Sequence, residues 1–157
     1  MEVIVAGSPT QIIGGYNPAS WMSTDDFVTT PTEADRIAFI FNLISGTVLQ
    51  QEAASDNGQY KSYNAASIGP VMGGENDIYV DSDLAIVYFS SFSYCINPAL
   101  SCEAGTNVLG STGFQSATVG ALEVFTISAA EVPIPAAAPL LLGALGLTGW
   151  IARRRKG

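Results

Sequence analysis

Apolar residues in this chain fall in short runs broken by Gly, Pro, Asn and Ser. Ile37, Phe39, Phe41 and Leu43 alternate with Ala38, Ile40, Asn42 and Ile44, which predicts a largely buried strand ending at Ser45-Gly46. Thr47-Val48-Leu49 starts its neighbour. Ile78-Tyr79-Val80 and the stretch from Leu84 to Phe92 are rich in β-branched and aromatic residues, which fit a pleated surface. Ala121 to Ser128, ALEVFTIS, reads as the last strand. Asp56-Asn57-Gly58 carries the residues that tolerate the positive φ of a hairpin turn. Gly69-Pro70, Gly73-Gly74, Asn97-Pro98 and Gly110-Ser111 punctuate the remaining intervals. Only Pro31 to Ile40 hints at a helix, through Thr32-Glu33-Ala34-Asp35-Arg36, and its alternation argues against extending one. No repeat or low-complexity linker divides residues 1–131, so the pattern predicts one mainly β domain, an antiparallel β-sandwich.

The pattern changes at Val132. From Ala136 to Ala152 the chain is apolar or weakly polar without a charge, and Arg153, Arg154, Arg155 and Lys156 follow at once. Seventeen helical residues rise about 26 Å, close to the hydrocarbon thickness of about 30 Å. This predicts a transmembrane helix over 138–152 and a basic tail over 153–157. Clustered cations stay on the cytoplasmic side, which puts residues 1–131 outside. A buried C-terminal helix of a soluble protein would need a partner surface all round it, and a chain this small offers none. Gly143, Gly146 and Gly149 recur every third residue without a GxxxG motif, so they fit a marginally hydrophobic span and not a dimer seam.

Val132, Pro133, Ile134, Pro135 and Ala136 open this tail, and with the Gly-rich apolar run and terminal cations they make three parts in a fixed order. The last 26 residues resemble the PEP-CTERM sorting domain, more narrowly its Val-Pro-Leu-Pro-Ala variant. Ile134 departs from the Leu of that variant and the Glu of the commoner form, and keeps the apolar character. The resemblance implies an address in place of an activity. It would be read over 132–137 by an exosortase, an integral-membrane protease that cuts near the motif, and the released domain would reach the surface or the exopolysaccharide matrix of a Gram-negative bacterium.

Composition agrees with export. Residues 1–131 carry fourteen acids against Arg36 and Lys61, a net of −12, and the chain has no His. Such a domain repels nucleic acid and anionic headgroups and gains solubility from self-repulsion. About 130 residues suffice for one domain with a real core. Met1 to Pro9 has an acid at position 2 and four apolar residues before Gly7, too short and of the wrong sign for a signal peptide. The expectation is that a signal peptide is lost from a gene start placed too far downstream. The alternative is a C-terminal helix that acts as its own insertion signal.

Candidate chemistry is sparse. Cys95 and Cys102, with six residues between them around Asn97-Pro98, predict a small-loop disulfide in an oxidising compartment. Without His, the usual Ser-His-Asp, Cys-His and His-metal sets are excluded, and no catalytic residue, cofactor or metal site is assigned. Asp25-Asp26 reads as a solvated loop after Trp21. Glu75-Asn76-Asp77 with Asp81 and Asp83 has the oxygen ligands Ca²⁺ takes but lacks the EF-hand pattern, so an acidic loop is the simpler reading. Trp21, Tyr60, Tyr63, Tyr88 and Tyr94 can make either a sugar-stacking face or ordinary core and cross-strand pairs. The sequence thus predicts a non-enzymatic exported protein. A surface-displayed module that binds carbohydrate, with or without Ca²⁺, is the alternative.

Overall fold

The computed structural model describes residues 1–6, 10–102 and 105–127. Met1–Phe125 is one compact unit. The sorting motif over 132–137, the span over 138–152 and the basic tail over 153–157 lie outside the described residues. Among the described residues no helix is long and apolar enough to cross a membrane.

The chain builds β1 Glu2–Val5, β2 Gln11–Tyr16, β3 Asp26–Thr29, β4 Phe39–Asn42, β5 Thr47–Gln51, β6 Tyr60–Asn64, β7 Val71–Met72, β8 Ile78–Val80, β9 Ile86–Phe89, β10 Tyr94–Cys95 and β11 Gln115–Glu123. Hydrogen bonding orders them β10-β5-β4-β2-β1-β11-β9-β8-β7-β6-β3, and every neighbouring pair is antiparallel. β11 joins the two halves. Its first residues pair with β9, from Gln115↔Phe89 to Thr118↔Ile86, and its last with β1, from Val119↔Val5 to Glu123↔Glu2. The register shifts between Ile4 and Val5, opposite Gly120, and an extra residue of this kind bends a strand.

One face of each half supplies a single core. Val3, Ile13, Ile40 and Leu49 from the first half pack in one cluster with Met72, Ile78, Val87 and Phe89 from the second. The two halves meet directly: a Cβ added to Gly15 on β2 would press on the Met72 side chain of β7. Asn17 Nδ2 donates to Ser62 Oγ of β6 at 2.9 Å across the same divide. Each fully buried Val, Leu, Ile, Met or Phe contributes about 1.5–3 kcal/mol relative to exposure.

Several local expectations change. The strand expected over Ile37 to Ile44 is reduced to Phe39–Asn42, buried on one face only. Ile40 is fully buried, whereas Ile37, Leu43 and Ile44 are exposed. Asp56-Asn57-Gly58 is not a hairpin turn, because β5 and β6 are not neighbours. It forms a 3₁₀ turn, Asp56–Gln59, started by the Ser55 hydroxyl, which accepts from Asn57 N–H at 3.1 Å. Gly58 is needed there for closeness, since a Cβ would collide with the Glu52 carbonyl. The helical hint after Pro31 is one 3₁₀ turn, Glu33–Asp35. The last strand begins earlier than expected and ends at Glu123. The β1 pairing stops at Glu2↔Glu123, so Val124 and Phe125 are left exposed beyond it.

Candidate functional site

Among the described residues two carboxylates are fully buried, Glu52 and Asp77. Asp77 is fully buried between β7 and β8 on one side and the β9–β10 connection on the other. It accepts N–H bonds from Phe92 at 2.8 Å, Ser93 at 3.0 Å and Tyr94 at 3.2 Å. Gly73 sits beside it at φ +85°, where a side chain would be strained and its Cβ would run into the Asp77 carboxylate. Burial pushes the Asp77 carboxyl up to about 7, against the opposite pull of those N–H groups. Asp81 uses Oδ1 to accept from Ala85 and Ile86 N–H at 2.8 and 3.1 Å, closing its own turn. The acids from Glu75 to Asp83 therefore do not converge. Among the described residues no group of three or more acidic or Cys side chains is placed to hold a metal ion. Asp25, exposed at φ +53°, and Asp26, at the start of the exposed strand β3, face solvent.

Arg36 uses its guanidinium on the backbone. Nε donates to Thr30 O at 3.2 Å, Nη1 to Glu52 O at 2.7 Å and to Ser55 O at 3.0 Å, and Nη2 to Pro31 O at 3.3 Å. It ties the loop before the first 3₁₀ turn to the loop after β5. Cys95 and Cys102 are joined in a disulfide with Cα atoms 5.3 Å apart. The bridge closes the segment that follows β10 over Glu52. The Glu52 side chain accepts Cys102 N–H through Oε2 at 3.3 Å.

The aromatic residues separate into three settings. Tyr94 is wholly buried and donates from its hydroxyl to Lys61 O at 2.7 Å, so it is a core residue and no part of a face. Burial first, and the Asp77 charge second, hold its hydroxyl pKa well above the usual value. Tyr63 and Tyr88 belong to one register row across the second half: Phe27, Tyr63, Val71, Tyr79, Tyr88 and Ser116 oppose one another in turn. Within it Tyr79 and Tyr88 stack with centroids 5.4 Å apart, and Tyr88 stacks on Phe114 at 5.4 Å. At the other end Phe27 meets Tyr63 at 4.9 Å and Tyr60 at 5.1 Å. Cross-strand rings of this kind stabilise a sheet, and here they form two groups separated by the buried Val71. Phe27 and Tyr79 escape a sequence reading because only the strand register brings them to this row, and Phe114 joins it by stacking on Tyr88 from just before β11.

Trp21 lies elsewhere. It packs against the core on one side and lines a cleft of about 260 Å³ on the other. The cleft wraps the end of β6, so both Tyr63 and Asn64 reach it, with the loop after β6 and Val124 as further walls. Asn64 draws no attention in the sequence as the last residue of a strand, and its placement follows from Ser62 and Met72 facing the core beside it. No known family model, no curated protein and no solved structure matches this chain.

Proposed function

We propose that this is a non-enzymatic exported protein whose residues 1–131 form a β-sandwich outside the cell and whose residues 132–157 are a cleavable sorting signal. The observation that carries the reading is the order of parts at the C-terminal end: Val132 to Ala136, an uncharged apolar run to Ala152, then Arg153 to Lys156. Pro133, Pro135 and Pro139 lack the backbone N–H that a strand ladder or helix interior uses, which supports reading the motif as a segment offered to an exosortase-type protease. The Cys95–Cys102 disulfide is consistent with an oxidising compartment. One core shared by both halves of the sheet supports the sandwich.

The test is to express the full chain in a host with and without an exosortase and to compare intact masses. Cleavage between about Val132 and Pro139 in the exosortase-bearing host is the expected result. A chain that keeps Arg153 to Lys156 there would be an ordinary single-span membrane protein.

A further inference from the structure

A sheet that ends in solvent offers unpaired N–H and C=O groups to any strand that fits, and folded proteins blunt such edges. The eleven strands end at β10 and at β3. β10 has only two residues, and the loop closed by Cys95–Cys102 carries on beside the chain after β5: Pro98 O accepts Ala53 N–H at 2.7 Å and Ala54 N–H at 3.2 Å. β3 pairs with β6 on one side only. Thr30 N–H donates toward β6, to Gln59 O at 2.7 Å. The extra residue at the register shift, Lys61, belongs to β6, so the alternation along β3 is unbroken. Asp26 and Val28 therefore bond inward, while Phe27 and Thr29, both exposed, turn their N–H and C=O groups outward. Phe27 N–H is taken by Asp26 Oδ1 at 2.7 Å, a short charge-assisted bond. The carboxylate thus occupies a donor that an incoming strand would need.

We propose that β3 is a pairing surface for a second copy of this chain, joined antiparallel about a two-fold axis through Val28 and guarded by Asp26. The outward groups fix the register: Phe27 of each copy must meet Thr29 of the other, which puts Val28 opposite Val28 and Asp26 opposite Thr30. Such a contact is self-complementary, as a two-fold interface requires. Four N–H···O bonds would join the copies once Asp26 releases the Phe27 amide. No like charges oppose each other, because the two Asp26 residues stand four positions apart. That is about 14 Å along the strands, beyond the screening length of about 8 Å at physiological salt. The Phe27 ring is 39% exposed and already rests on Tyr60 and Tyr63. Thr29 of the other copy adds a β-branched neighbour on the same face, a pairing that stabilises sheets. Asp25, at φ +53°, and Pro31 end the segment on either side, so the contact spans five residues. So small an interface is transient in dilute solution. The inference rests on the Met1–Phe125 unit and is independent of the sorting tail.

The experiment traps the pair in the full chain, held in detergent. Cys95 and Cys102 are bridged and are the two cysteines of the chain, so Val28→Cys supplies its one free thiol. Val28 would oppose its copy at a non-hydrogen-bonded position, where Cα atoms lie about 4.5 Å apart and a disulfide can close. Under mild oxidation Val28→Cys should form a linked dimer at least about tenfold faster than Val48→Cys, which is 49% exposed but sits on β5 between β10 and β4. Adding Asp26→Ala should speed the Val28→Cys reaction by about tenfold or more, because the guard is gone. Adding Thr29→Pro should stop it and leave the melting temperature near the parent's, since Thr29 N–H serves no bond to β6. Equal rates at positions 28 and 48, as two chains sharing a micelle would give, overturn the proposal. So does a Val28→Cys rate that Asp26→Ala leaves unchanged or that Thr29→Pro fails to lower. Should Thr29→Pro fail to fold, hydrogen exchange decides in its place: the Phe27 and Thr29 amides must exchange more slowly in the linked dimer than in the reduced chain, and equal exchange overturns the pairing.

Discussion

Asp77 is a carboxyl group whose surroundings pull both ways, and its titration has a definite sign. The folded pKa, raised from an ordinary 3.8 to about 7, means the folded chain holds the proton more tightly than the unfolded chain between those values. Stability contributed by this residue is therefore complete below about pH 4, falls as pH rises, and levels off above about pH 7. The loss is at most about 1.4 kcal/mol per pH unit. Urea denaturation across the window should show the decline, and Asp77→Asn should flatten it while leaving the slope from the surface acids. Arg36 poses a different question, since its four carbonyl acceptors surround one planar group. A lysine keeps the charge and loses the fork. Arg36→Lys should cost about 1–3 kcal/mol in a denaturant titration, against near-neutrality for Lys substitutions at unbonded surface positions.

β10 has two residues and pairs only with β5, at Tyr94↔Gln51 and Cys95↔Gln50. So short an edge strand depends on the bridge behind it. Reduction of Cys95–Cys102, or Cys102→Ser, should cost about 2–3 kcal/mol by freeing a small loop in the unfolded chain. Mass spectrometry after alkylation without reductant should find neither cysteine labelled in protein from an oxidising compartment. At this scale the sequence was partly legible. β5 and β8 are plain because β-branched, aromatic and other apolar residues gather in short runs near turn residues. β1, β2 and β3 pass unnoticed: Glu2 to Val5 resembles a failed signal segment, Gly14 and Gly15 weaken β2, and β3 is mostly exposed. Their positions are set by pairing partners more than sixty residues away in some cases, as Glu2↔Glu123 illustrates, and alternation within a window cannot carry that. The cleft was half legible: Trp21 and Tyr63 stand out as aromatics, whereas Asn64 matters only because burial leaves it unpaired.

For the whole chain, the predicted span over 138–152 sets a measurable limit. Leu145→Arg should add about 3 kcal/mol to the cost of insertion at the helix centre, lowering the inserted fraction in a translocation assay. Reporter fusions after Lys156 should report the cytoplasm, and an external location would reverse the orientation. The order of strands adds a constraint in time. Five strands lie on each side of β11, and the two groups have no other hydrogen-bonded neighbour in common. A chain threading outward from its N-terminal end thus presents two half-sheets with open edges, at β1 and β9, until residues 115–123 have emerged. Closing them joins Glu2 to Glu123, a contact of long sequence separation and hence a slow one. Only eight residues, 124–131, separate that closure from Val132. On the proposed reading of residues 132–157 as a membrane-directed signal, β11 is the last strand to arrive, and the two open edges close only as the tail reaches the membrane.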